Sequence, residues 1–499
     1  MSMKAVAARS ALWSAAETWG VRGVSALVFL LLARLLDADA FGVMALAGVY
    51  LMILQMLADQ GFAEALIQRA ELEDAHRDSA FWANVAIGLA LLLATLALAG
   101  PLARLYGAPL LEPVLQVLSV APLLAALTVV QQALLRRELR FKALTLRQTI
   151  GSLAGGAAGV GLALSGAGVW ALVGQQLTGQ LVALLVLWSV SAWRPGWHFS
   201  WRHFRELFSF GANVLGAGLL RVIGFQADRL LIGYVLGTTE VGYYSVAQRL
   251  LMIVSDLLSG SAERIVLPLF ARVQHDRERV RRGLFTAGRI LSLAAFPCFA
   301  GLAATAPLVI DVGLGPQWRP ALLATQLLVP MSLCFSLSFF FAPLLTALGR
   351  PSWRLAVVAL HATLNVAVIW AGVAYGIAGV ALALTLVQVV MYFVELGLLR
   401  RLVEFDLLAY LRLALAPLLA AALMAVPVVA LQLWLWPWLA GWMVLAIAVV
   451  GGAAVYVGVM ALIGRDRLRE IIDLARGLRP PRERVATDDE PNDGLASDR

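Results

Sequence analysis

The chain has 499 residues, of which 61% are hydrophobic and 14% charged, and its net charge is +8. A water-soluble domain needs roughly a quarter of its residues charged to coat its surface, so that class is excluded, and a mean hydropathy of +0.83 makes lipid the solvent. The pI near 9.9 does not point to nucleic acid, because the basic residues are scattered between apolar runs and form no aromatic-interleaved face.

Lys4 and Arg9 before an apolar run resemble a secretory leader, but Glu17 and Arg22 interrupt the run and no small-x-small cleavage site follows. The segment reads as an uncleaved first helix. Apolar runs close to the length that crosses roughly 30 Å of hydrocarbon then place helices near 11–36, 41–66, 79–100, 113–135, 143–165 and 168–190. A second group follows near 207–236, 240–271, 283–311, 320–346, 352–374 and 377–399, and a last pair near 408–433 and 438–463. The expectation is an all-α membrane protein with about fourteen transmembrane helices.

The gaps alternate in charge. One set holds Arg69 and Arg77; Arg136, Arg137, Arg140 and Lys142; Arg194, Arg202 and Arg205; Arg272, Arg277, Arg279, Arg281 and Arg282; Arg350 and Arg354; and Arg400, Arg401 and Arg412. The other holds Arg104 and Arg319. Basic loops are retained in the cytoplasm, so both termini are expected there. The tail opens with a basic amphipathic stretch, Arg465 to Arg479, suited to an anionic membrane surface, and closes with the polar run Thr487 to Arg499, expected to be disordered.

At an offset of 200, Leu36, Gly42, Ala47, Leu51, Met52, Ile53 and Leu57 fall on Leu236, Gly242, Ala247, Leu251, Met252, Ile253 and Leu257. AGVWAL at 167–172 resembles AGVALA at 378–383. Both copies start from the same side, so they read as parallel repeats around a midplane cavity. The expected division is a six-helix lobe over 1–200, a second over 201–402, an extra helix pair over 403–464 and a cytoplasmic tail over 465–499.

Charges inside the spans carry the chemistry, since an Arg or Asp at the bilayer centre costs roughly 2.5–3.5 kcal/mol even on the lenient insertion scale. Glu17 and Arg22 lie in the first helix, Asp59 in the second, Arg221, Asp228 and Arg229 in the seventh, and Arg249 and Asp256 in the eighth. Arg249, Asp256 and Glu263 recur every seven residues and share a helix face, as do Arg221 and Asp228. Such faces line a wet cavity more economically than they hold a bundle together. The candidate site is therefore Arg22, Arg221, Arg249, Asp228, Asp256, Glu17 and Asp59, with Arg22 and Arg221 at similar depth in paired helices. Gln131, Gln132, Gln175, Gln176 and Gln180 add hydrogen-bonding capacity suited to hydroxyl-rich ligands or to interhelical bonds.

The two lysines, Lys4 and Lys142, sit in no phosphate-cradling loop. The five histidines show no metal-ligand spacing, and His361 reads as a packed polar residue. Cys298 and Cys334 lie in apolar segments and read as packing residues. No cofactor and no metal is expected.

ARLLDADAFGVMALA at 33–47, ADQGFAEALIQR at 58–69 and AFWANVAIG at 80–88, with ADRLLIGYVLGTTEVGYYSVAQRL at 227–250, resemble the Wzx-type polysaccharide flippases of the multidrug/oligosaccharidyl-lipid/polysaccharide superfamily. That resemblance implies a non-enzymatic inner-membrane transporter of oligosaccharide repeat units on undecaprenyl diphosphate, serving O-antigen, capsule or exopolysaccharide synthesis. The partners it implies are the lipid-linked oligosaccharide, membrane lipids and a polysaccharide polymerase with chain-length factors. A multidrug cation antiporter of the same superfamily would carry an acid-rich, arginine-poor cavity. A membrane glycosyltransferase would need a catalytic set in a sizeable loop, whereas the longest outward gap, from Pro101 to Glu112, offers only Arg104, Tyr106 and Glu112.

The alternating loops generate a test. Cysteines introduced at Ser165, Thr239 and Trp436 should react with an impermeant maleimide outside intact cells, and cysteines at Arg140 and Arg279 should not. Labelling of Arg279→Cys from outside would break the topology.

Overall fold

The computed structural model describes residues 22–59, 62–69, 72–138, 140–273, 276–341, 344–345, 348 and 350–463. Most of these residues are helical, with no strand among them. Nine helical stretches among the described residues are long and apolar enough to cross a membrane. The outer surface confirms what solvent they meet: Leu93, Leu185, Leu433 and Val450 are exposed on it. In water such a surface would drive aggregation.

The first half begins with helix α1 over 22–35, followed by α2 (Ala38–Asp59), α3 (Phe62–Gln68) and α4 (Asp74–Leu105). The single span expected near 113–135 is three short helices, α5 (Leu111–Leu118), α6 (Val120–Ala126) and α7 (Val129–Arg137). Pro122 removes one backbone donor, and Ser119 and Thr128 turn their hydroxyls onto the carbonyls of Gln116 (2.6 Å) and Ala125 (2.7 Å), which bends the chain at both joints. Helices α8 (Phe141–Leu164) and α9 (Val169–Val190) pack backbone to backbone. A Cβ on Gly151 would lie 2.8 Å from the carbonyl oxygen of Gly179, and one on Gly155 2.5 Å from that of Gln175, the small-residue packing that lipid-embedded helices use.

The second half comprises α10 (Trp201–Leu236), α11 (Thr238–Val273), α12 (Arg277–Leu308), a π-helical turn at Val309–Leu314, α13 (Ala321–Ser338), α14 (Pro351–Gly372) and α15 (Gly376–Val403). Here the sequence placed the arginine-rich ends too far in. Helix α10 starts at Trp201 and α12 at Arg277 because polar first turns continue the helix. Asp276 accepts from the backbone N–H groups of Glu278 and Arg279, and Glu278 pairs with Arg281 at 2.9 Å. The last pair, α16 (Leu407–Leu435) and α17 (Gly441–Ile463), lies against α12, with the Tyr456 hydroxyl donating to Leu293 O (2.9 Å) and Gln432 Nε2 to Ala304 O (3.0 Å). Cys334 packs against the apolar cluster formed where α12 and α13 meet α15 and this pair, whereas Cys298 faces outward, contrary to the packing role expected of it. The tail from 464 onward lies outside the described residues.

Helices α2 and α11 cross at their first turns. A Cβ on Gly42 would fall on the carbonyl oxygen of Thr238, and a Cβ on Gly242 on that of Ala38. The contact is reciprocal, and its four residues are two pairs separated by the offset of 200 seen in the sequence. Thr238 Oγ1 donates to the Asp39 carboxylate across the same crossing. Above it, Trp318 is fully buried, edge-on to Phe41 (5.2 Å) and Tyr243 (6.0 Å), and donates to Ala33 O at 2.7 Å. The arginine-poor end of the bundle is closed there.

Substituting Gly42→Ala should force the two helices apart, at a cost of about 1–3 kcal/mol. A cysteine at Ser245, deeper in the bundle, should then become reactive from the arginine-poor side. The same probe should stay silent in Gly48→Ala, since a Cβ there meets nothing within 4 Å.

Candidate functional site

Below the crossing, α1, α2, α10, α11, α13, α14 and α15 enclose a cavity of about 880 Å³. Its polar wall is assembled from helix faces. Helix α11 contributes Ser245, Gln248, Arg249, Ser255 and Asp256; α10 contributes Gln226, Asp228 and Arg229; α1 contributes Arg22; α14 contributes His361 and Asn365. The apolar wall is Phe29, Phe41, Met44, Met52, Met331 and Phe335 with their neighbours.

The charges are held without pairing to one another. Asp228 is buried and accepts from the Tyr244 hydroxyl (2.8 Å), Gln248 Nε2 (2.7 Å) and the Arg229 backbone N–H (2.8 Å). Arg229 donates to Gln226 Oε1 and to Gln248 Oε1, both at 2.9 Å. The Gln248 amide thus sits between acid and base and bonds to each. Arg22 donates to the backbone carbonyl of Asp256, tying α1 to α11. Arg249 stands 5.9 Å from the Phe29 ring centre and meets no carboxylate among the described residues. Three guanidinium groups and two carboxylates therefore line one cavity, and Arg229 Nε, Ser245 Oγ and Asn365 Oδ1 have no hydrogen-bond partner there. Unsatisfied buried donors and acceptors are stable only if water or a ligand reaches them.

Of the residues expected at the site, the fold brings together Arg22, Arg249, Asp228 and Asp256. Glu17 lies outside the described residues, as do the side chains of Arg221, Asp59 and Glu263. Arg229, Gln226, Gln248, His361 and Asn365 were missed as site residues. The signals were present: Gln226 and Arg229 are i, i+3, and His361 and Asn365 are i, i+4, in otherwise apolar helices. His361, read as a packed polar residue, faces the cavity and Phe225, with ring centres 5.8 Å apart.

A second cavity of about 650 Å³ lies within the first half, lined by Gln55, Gln132, Gln148, Gln175, Gln176, Gln180, Thr128 and Arg147. A small space of about 280 Å³ bounded by Ser152, Gln175, Phe29 and Arg249 lies between the two, and Leu172 lines all three. Gln131 is fully buried elsewhere and does not join the others.

The sequence profile of the polysaccharide biosynthesis protein family matches residues 31–323. The chain belongs to that family. The succinoglycan biosynthesis transport protein ExoT of Rhizobium meliloti (strain 1021) is 29% identical over 488 residues, covering 94% of this chain and 95% of that one. The lipopolysaccharide biosynthesis protein WzxC of Escherichia coli (strain K12) is 25% identical over 397 residues, covering 78% and 80%. In fold, the chain is similar to the lipid II flippase MurJ in its inward closed conformation, with a TM-score of 0.76 and 16% identity over 92% of this chain and 100% of that one. It is also similar to an inward-facing multidrug resistance transporter of the MATE family, with a TM-score of 0.64 and 16% identity over 77% and 94%. This member of the polysaccharide biosynthesis family thus shares its fold with transporters whose handled molecules differ, and the cavity lining has to distinguish them.

The hydrogen bonds separate structural charges from available ones. Asp228→Ala leaves the buried Tyr244 O–H without its acceptor and takes one acceptor from the Gln248 amide, and should destabilise the protein by on the order of 2–3 kcal/mol. Arg249→Ala strands no acid among the described residues. Thermal unfolding in detergent should show the melting temperature falling by several degrees for Asp228→Ala and staying within about a degree for Arg249→Ala.

Proposed function

We propose that this protein is a flippase that carries oligosaccharide repeat units on undecaprenyl diphosphate from the cytoplasmic to the periplasmic face of the inner membrane. It is a transporter and not an enzyme. The observation that carries the reading is the set of three arginines, Arg22, Arg229 and Arg249, none paired with a carboxylate among the described residues, in a cavity closed at its arginine-poor end by the Gly42–Gly242 crossing. Guanidinium forks match phosphate oxygens in geometry and charge, so the diphosphate sits at this wall. Arg249 is the freest of the three and shares this wall with Arg22, and Arg221, expected at similar depth to Arg22, is proposed to join them. The glutamine-lined cavity receives the sugars, whose hydroxyls need both donors and acceptors, and primary amides supply both. The polyprenyl chain stays in lipid.

The architecture proposed for this cycle is about fourteen spans in two six-helix lobes, 1–200 and 201–402, followed by the helix pair over 403–464 and the tail over 465–499. The reciprocal glycine contact between residues 200 apart supports parallel copies related by an axis along the membrane normal. Both termini are cytoplasmic in this scheme, and the closed end is periplasmic. A transporter in this state accepts its cargo from the cytoplasm and releases it when α2 and α11 separate. The named relatives support the substrate class, because they serve succinoglycan and lipopolysaccharide synthesis. A cation antiporter is disfavoured by the same wall, since three guanidinium groups beside two carboxylates repel a cationic drug. A polysaccharide polymerase and chain-length factors take the delivered units onward.

Deleting the gene should abolish a surface polysaccharide while lipid-linked repeat units accumulate on the cytoplasmic leaflet. In the complemented strain, the Arg22→Ala, Arg249→Ala double variant at normal membrane abundance should lower export about ten- to a hundredfold, the worth of one or two charge-assisted hydrogen bonds. Lysine at both positions should impair it partially, keeping charge but losing the fork. Full-length polymer from the deletion strain with no paralogue, or normal export by the double alanine variant, would sink the reading.

A further inference from the structure

We propose that this protein binds a divalent transition-metal ion, of the zinc class, through Glu73, His76 and His203 at its arginine-rich end. Spacing along the chain does not join the set, because the third ligand lies 127 residues beyond the second. The fold brings the first turn of α4 against the first turn of α10, and one ligand atom from each of the three side chains lies within 4.8 Å of the other two.

The chemistry of the donor set points to a metal rather than to a solvated cluster. Glu73 and His76 are i, i+3 at the start of a helix, the spacing by which carboxylate and imidazole reach one ion from the same face. His76 is 1% exposed, and its ring meets that of His203 edge-on with centres 4.3 Å apart. His203 Nδ1 is 2.6 Å from the Ser200 hydroxyl. If Nδ1 carries the proton and donates it there, Nε2 keeps its lone pair, and Nε2 is the atom that lies 3.7 Å from Glu73 Oε2. An outer hydrogen bond that fixes the tautomer of a ligand is a regular companion of metal-bound imidazole. Zinc held at about 2.0–2.1 Å from each donor brings tetrahedral ligands to roughly 3.3 Å from one another, so the three need only a small closure. The Glu73 side chain, 68% exposed, is free to make it. Two imidazoles and one carboxylate suit zinc among the available divalent ions, with water in the fourth position. The neighbouring charges leave room for a cation: Arg77 is paired with Asp74 at 2.9 Å, and Asp78 accepts from the Gly196 backbone N–H at 3.0 Å.

The site also has a mechanical position. The segment between α9 and α10 is strapped over the start of α4: Trp82 Nε1 donates to Gly196 O (2.8 Å), Trp82 stacks on Trp197 (4.6 Å), and the Ser200 N–H donates to Ser79 Oγ (2.9 Å). A metal bound to Glu73 and His76 on one side and His203 on the other adds a coordinate cross-link to that strap, fixing the chain where the first half passes into the second.

The test is a Co²⁺ titration of the full-length protein, purified in detergent through a tag without histidine. The expected result is one equivalent of Co²⁺ with the intense visible absorption of a tetrahedral site, displaced by Zn²⁺. Glu73→Gln and His203→Ala should each weaken binding at least about tenfold, Ser200→Ala about tenfold, and His198→Ala should leave it unchanged. Glu73 is exposed, so its variant reports on metal binding without a folding penalty. A wild-type protein that takes up no Co²⁺, that gives only weak octahedral absorption, or that binds as well with Glu73 and His203 both replaced would overturn the proposal.

Discussion

The structure depends first on one steric fact: α2 and α11 touch through glycine. Where a side chain would fall on a neighbouring carbonyl oxygen, only the absence of Cβ lets two helices cross at backbone distance. That crossing fixes the angle at which both helices descend, and so decides which faces meet further down. Three residues below Gly42 is Ala45, and three below Gly242 is Ser245; both line the central cavity. A contact made only of backbone has no side chains to unpick. It can close tightly and still separate at low cost, as the proposed transport cycle requires. The Asp39–Thr238 hydrogen bond and the aromatic lid around Trp318 supply the modest extra stabilisation that holds it shut.

The charges below the gate divide by how they are satisfied. Asp228 is built in: three donors converge on it, and Gln248 connects it to Arg229 without a direct ion pair. Such an arrangement satisfies the carboxylate while leaving the Arg229 Nε without a hydrogen-bond partner. Arg249 is the opposite case, set beside the Phe29 ring and Met252 and meeting no carboxylate among the described residues. A bundle held together by electrostatics would have matched its arginines to acids, because an unpaired buried charge is the costliest outcome. Among the described residues these arginines stay unmatched, which suits the proposed cargo, whose diphosphate would bring the anion. The methionines and aromatic residues opposite give that chamber a deformable wall.

The two ends of the molecule are built differently. The arginine-poor end closes by helix crossing, whereas the arginine-rich end is organised by extended helices and by the strap over 191–200, pinned by Trp82, Ser79 and Asp78. The helix pair α16 and α17 sits to one side on α12, anchored by Tyr456 and Gln432, and contributes nothing to the central cavity lining. Its broad exposed apolar surface belongs to the lipid.

The sequence by itself determined the solvent, the helical class and the approximate span of most helices, because hydrocarbon allows a long chain only apolar helices with internally satisfied backbones. It also determined which helix faces are polar: the seven-residue spacing of Arg249 and Asp256 placed both in the cavity. It misjudged the ends of α10 and α12 and the continuity of α5 to α7, where side-chain hydrogen bonds and Pro122 act locally and hydropathy is blind. Partnership was left to the tertiary structure. Periodicity assigns a residue to a face but does not say which other face it meets, so only the fold could show that Arg22 bonds to the Asp256 carbonyl, that Gln248 stands between Asp228 and Arg229, and that His76 lies against His203. Those contacts join residues from 19 to 234 positions apart, and they are decided by how helices cross, which no local pattern encodes.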